Sequence, residues 1–190
     1  GLTGNNTITV VAVSGNKKTY KTVTFIGLSW EPFGTGYWVD GLFTTIFQAD
    51  ATTVSVELER AEVEGSGEIR FRFRSPYARY ATAVDEHGVY DGFPYNDETT
   101  IVEGDYTFTV IITSAGASIV PTDMGMDQGY GMFSTGTLNG YVSGGSSQPL
   151  GTYDEEAGCI TFPVGSLYVS MADYQNGGLF PSANPSYLYL

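Results

Sequence analysis

Between Thr53 and Arg74 the side chains change character at every step. Val54, Val56 and Leu58 alternate with Ser55, Glu57 and Glu59. After the turn-like EGSGE (64–68), Ile69, Phe71 and Phe73 alternate with Arg70, Arg72 and Arg74. A period of two is the repeat of a β-strand, whose successive side chains point to opposite faces; a 3.6-residue helical repeat would scatter these apolar residues around a cylinder. Each segment therefore predicts a strand with one buried and one solvated face. If the two pair as a hairpin, the carboxylates of one face the guanidinium groups of the other, and exposed pairs of that kind contribute ~0.2–1 kcal/mol each.

The stretch ahead of these strands, WEPFGTGYWVD (30–40), sets several large rings around two glycines. Gly34 and Gly36 allow a sharp backbone turn beside Phe33, Tyr37 and Trp38. Asp40 is a good helix N-cap, and Leu42, Phe43, Ile46 and Phe47 form one apolar face, which predicts a short helix over 40–48.

The rest of the chain repeats the strand signal. NNTITVVAVSGNKKTYKTVTF (5–25) predicts a β-hairpin turning at SGNKK. Two readings of residues 1–25 stay open: the closing hairpin of an immunoglobulin-like module, with the main domain over 26–190, or the first hairpin of a single domain. Residues 78–104 hold no clear period and predict a long surface loop with at most one short strand. YTFTVIIT (106–113) gives the strongest strand signal, followed by a short strand over 117–120 that stops at Pro121. GTYDEEAG, CITFP and GSLYVSM predict another hairpin-like set, and SYLYL (186–190) a closing strand. The expected fold class is all-β: a small β-barrel or β-sandwich of about ten short antiparallel strands with one short helix. No βαβ alternation is present, which argues against a parallel α/β sheet.

These blocks also carry a family resemblance. The W-x-x-x-G-T-G-x-W-x-D start, the acidic strand and IRFRFRSPYA, then DMGMDQGYGMFS (123–134), AGCITFP (157–163) and SYLYL, resemble a β-rich domain of unknown function. That domain recurs in secreted or lipid-anchored surface proteins of gut Bacteroides-type bacteria. The resemblance covers roughly residues 26–190 and departs over SPYARYATAVDEHGVYDGFPYN. It implies an all-β fold and an extracellular or cell-surface location, outer-membrane-anchored or periplasmic sites included, and it transfers no active site.

Charge narrows the partners. All eight Lys and Arg lie at or before Arg79, where eight acids balance them; from Tyr80 onward there are 13 acids and no base. A nucleic-acid interface needs the opposite sign, and an anionic membrane surface is disfavoured for the same reason. No run approaches the ~18 apolar residues of a membrane-spanning helix. No signal-peptide pattern is expected within these residues, and a lipid anchor would belong to sequence ahead of Gly1. The single cysteine forms no internal disulfide.

Reactive groups are few. His87, in DEHGVYDG, has Asp85, Glu86 and Asp91 nearby to orient it, yet no nucleophile motif accompanies it, and a solvated loop histidine is the simpler reading. Cys159 has no base nearby in sequence to lower its pKa. Zinc lacks a ligand set. Calcium would draw on Asp123 with Asp127, Asp154-Glu155-Glu156, or Asp91 with Asp97, and none matches a D-x-D-x-D-G loop. No cofactor is implied and no metal site or catalytic residue is assigned. Rings are the best remaining signal: Trp30, Phe33, Tyr37 and Trp38 as a binding platform, or Tyr174, Phe180, Tyr187 and Tyr189 as a second one. The sequence thus points to a non-catalytic surface module binding glycan or protein. A structural or adhesive element of a surface assembly is the alternative, and a hydrolase is the least supported reading.

Overall fold

The computed structural model describes residues 4–42, 45, 53–77, 100–102, 104–127, 129–138, 149–174 and 178–190. Over them the chain is all-β. The strands are β1 (Gly4–Ser14), β2 (Lys17–Gly27), β3 (Glu31–Val39), β4 (Thr53–Val63), β5 (Glu68–Arg74), β6 (Thr100–Ile101), β7 (Thr107–Thr113), β8 (Gly116–Ile119), β9 (Thr122–Asp127), β10 (Met132–Thr137), β11 (Thr152–Asp154), β12 (Cys159–Phe162), β13 (Leu167–Met171), β14 (Leu179–Pro181) and β15 (Ser186–Tyr189). Among the described residues there are fifteen strands rather than about ten, because several, such as β6, β11 and β14, are only two or three residues long and fall below any sequence period.

The body of the molecule is an eight-stranded antiparallel sheet in the order β11-β12-β15-β3-β4-β5-β7-β8. It curls until its ends nearly meet: Ala117 and Gly151 exchange two backbone hydrogen bonds of 2.8 Å, joining β8 to the residue ahead of β11. A five-stranded sheet, β14-β13-β10-β9-β6, contributes to the same interior. Val54, Val56, Leu58, Phe71, Phe73, Phe108, Val110, Ile160, Phe162 and Leu188 from the first sheet share one core with Met124, Met126, Phe133, Leu167 and Val169 from the second. Moving each such side chain out of water contributes about 1.5–3 kcal/mol, which is why the period-two pattern dictates the fold. The hairpin expected at EGSGE forms as read, with Gly65 and Gly67 at positive φ and Glu59 opposite Arg72.

One pairing differs from the expectation, and SYLYL forms a strand as expected. CITFP and GSLYVSM do not pair: β12 lies between β11 and β15, whereas β13 joins β10 and β14 in the other sheet. Pro163 ends β12, and a turn through Gly165, whose N–H donates to the Ser182 carbonyl at 2.7 Å, carries the chain across. The terminal strand β15 is interior to its sheet, inserted between β12 and β3.

The helix expected over 40–48 lies largely outside the described residues, with Leu42 and Thr45 in helical conformation. Asp40 caps it as expected, accepting the Leu42 N–H at 3.0 Å. The long segment over 78–104 lies mostly outside the described residues, and so does His87. β1 and β2 form a two-stranded sheet of their own, joined through Gly15-Asn16 and sharing no ladder with the body.

Candidate binding face

Along β3 the rings named from the sequence go to different environments. Adjacent strand residues point to opposite faces, so Tyr37 and Trp38 cannot both be exposed. Tyr37 is 51% exposed, whereas Trp38 is fully buried. Trp38 is therefore not part of a surface platform. Its indole packs at 5.8 Å from Phe73 and 6.1 Å from Phe108, and its Nε1–H donates to Tyr77 Oη at 3.1 Å. Tyr77 Oη–H in turn donates to Asp40 Oδ1 at 2.7 Å, so a buried chain of hydrogen bonds runs from the indole to the helix cap.

Phe33 sits on a β-bulge, where the pairing of β3 with β4 slips between Pro32 and Gly34. It is 48% exposed, with its ring edge-on to buried Phe71 at 5.1 Å. The bulge has a larger consequence. Pro32 lies opposite Glu59 and Gly34 opposite Leu58, so one inserted residue reverses the parity of the strand. Trp30 is thereby brought to the same outer face as Tyr37, although its number is even. There the Arg72 guanidinium stacks on the Trp30 ring at 4.4 Å, a cation–π contact. The same arginine donates from Nε to Glu59 Oε2 at 2.6 Å. This charge-assisted bond holds the Glu59 carboxyl below the usual glutamate range, against a smaller opposing effect of burial.

Glycine makes the local geometry possible at two positions. Gly34 has φ +142°, outside the comfortable range of other residues. A Cβ on Gly36 would stand 2.5 Å from Leu58 Cδ1 and would also meet the Tyr189 carbonyl, so only glycine lets β15 and β4 close on β3 here.

The insertion of β15 builds the centre of the face. Tyr189 lies directly opposite Tyr37, and Tyr187 opposite Val39. The rings of Tyr187 and Tyr189 are stacked, with centroids 6.2 Å apart and planes inclined by 20°. One member of the first expected platform thus joins two of the second. The other two, Tyr174 and Phe180, cluster elsewhere with Tyr130, at 5.7 Å and 5.2 Å from Tyr174. Between the tyrosines and Trp30 stand Thr35 and Glu57, joined by a 3.0 Å hydrogen bond from the threonine hydroxyl. Beside them lies a groove of about 360 Å³ lined by Glu57, Glu59, Arg72, Arg74, Asp105 and Thr107. With ~3.3 Å of rise per residue, the seven steps from Trp30 to Tyr37 give the strip a length of roughly 20 Å.

Sequence reading missed this pairing because Tyr37 and Tyr189 are more than 150 residues apart in the chain. The one available signal was the alternation within YLY, which places Tyr187 and Tyr189 on one face.

Cys159 lies on the Thr161 side of β12, with Sγ 3.9 Å from Thr161 Oγ1. Among the described residues no group of three or more His, Cys, Asp or Glu side chains converges as a metal site, and no helix is long and apolar enough to cross a membrane. Comparison with protein-family models, with curated proteins and with solved structures finds no match for this chain.

Proposed function

We propose that the chain is a non-catalytic extracellular or cell-surface module that binds an extended, uncharged glycan along the outer face of β3. The observation that carries this reading is the pair of exposed rings Tyr37 and Tyr189, with half-buried Tyr187 stacked on Tyr189 and the run continued past Thr35 and Glu57 to half-buried Trp30. Aromatic faces stack against the apolar faces of pyranose rings, while hydroxyls need donors and acceptors at the side; Glu57, Thr35 and the Glu59–Arg72 pair supply both. The net charge of −13 repels sulfated or uronate-rich polymers, which leaves neutral ones. The surface location rests on the resemblance to Bacteroides-type domains set out above.

A glycan-array screen of the purified protein tests the reading. Binding to neutral polysaccharide should fall about two- to tenfold on Tyr37→Ala or Tyr189→Ala, since each lost stacking contact is worth ~0.5–1.5 kcal/mol. Selective binding of sulfated glycans, or binding unaffected by both substitutions, would sink it.

A further inference from the structure

The first hairpin is the part of the molecule that the glycan reading leaves unused. β1 and β2 pair over eleven residues each, and neither strand shares a ladder with the body. Apolar side chains stand open on both of its faces, among threonines and lysines: Ile8, Val10 and Val23 on one are 54%, 59% and 50% exposed, and Val11, Val13 and Tyr20 on the other are 46%, 61% and 62% exposed. An isolated two-stranded hairpin is at best marginally stable in water, and long unpaired edges with apolar side chains are surfaces that proteins normally cover.

Charge identifies the cover. Residues 1–30 contain Lys17, Lys18 and Lys21 and no acid, a net charge of +3; residues 31–190 contain five arginines and 21 acids, a net charge of −16. Two hairpins would repel each other, whereas a hairpin and a body attract. We infer that the hairpin is an assembly arm that docks on the acidic body of a second copy of this chain, by reciprocal exchange in a two-fold dimer. Area supports reciprocity. At ~3.3 Å per residue and ~4.8 Å between strands, one face of the arm is roughly 35 Å by 10 Å, or about 350 Å². A single docked arm falls well short of the ~800 Å² per partner of a standard interface. Exchange buries one arm face and one body patch on each copy, roughly 700 Å² per copy, which approaches it.

All three lysines of the protein lie in the arm, which makes the test direct. An equal mixture of ¹⁴N- and ¹⁵N-labelled full-length protein is treated with a zero-length carbodiimide, and lysine–carboxylate cross-links are identified by mass spectrometry. Every such link runs from the arm to the body. The expected result is that about half the linked peptide pairs carry mixed labels, together with sedimentation as a dimer at physiological ionic strength, where the repulsion between two chains of net charge −13 is screened. The triple variant K17E/K18E/K21E, whose body strands are untouched, should sediment as a monomer. Links of unmixed label only, a monomeric wild type at tens of micromolar, or a dimer indifferent to the triple substitution would each overturn the inference. None of these outcomes depends on glycan binding.

Discussion

Replacing Tyr77 with phenylalanine removes a single oxygen from the centre of the molecule and leaves the packing of the ring intact. That oxygen accepts the Trp38 Nε1–H at 3.1 Å and donates to Asp40 Oδ1 at 2.7 Å, and all three side chains are buried. Without it the indole N–H loses its partner in the core, and a buried unsatisfied donor costs about 1–3 kcal/mol. Asp40 keeps the Leu42 N–H but loses a charge-assisted bond, worth about 1.5–3 kcal/mol. The two losses share one network and do not add fully, so about 3 kcal/mol is expected. Urea unfolding followed by tryptophan fluorescence measures it, since one of the two tryptophans is Trp38 itself. With a slope of about 2 kcal/mol/M, the midpoint should fall by about 1.5 M at unchanged slope. A midpoint shift below about 0.25 M would show that the relay contributes nothing beyond the packing of its rings.

Two further substitutions probe the walls of the candidate binding face. Gly36→Ala drives a methyl group into Leu58 and the β15 backbone, and overpacking of this kind costs about 1–3 kcal/mol; a variant as stable as the parent in thermal unfolding would contradict the close approach. Glu59→Gln removes the ion pair with Arg72. Because the native carboxyl titrates below its unfolded counterpart, the stabilisation is fully present above the usual glutamate range and is lost as pH falls through the lowered native value. Both side chains are more than one-third exposed, so the difference between variant and parent should be only ~0.2–1 kcal/mol at neutral pH. It should vanish in acid, and a gap that persists there would assign the effect to something other than the carboxylate charge.

Local patterning made most strands legible because burial on one face of a strand is written in consecutive residues. VSVELE and IRFRFR needed no partner to declare which side chains turn inward, and EGSGE declared its turn through glycines that tolerate positive φ. Asp40 as a cap was equally local, since its acceptor reaches a backbone N–H two residues on. The candidate binding face was not local. Tyr37 meets Tyr189 only because β15 slides between β12 and β3, and Trp30 joins them only because one extra residue at Phe33 reverses the strand's parity. A bulge leaves no mark in a hydrophobic pattern read one strand at a time, because it is defined by the register with a neighbouring strand. The burial of Trp38 likewise followed from which face of β3 closed over the core, a choice made by the sheet's curvature and by the second sheet rather than by the tryptophan.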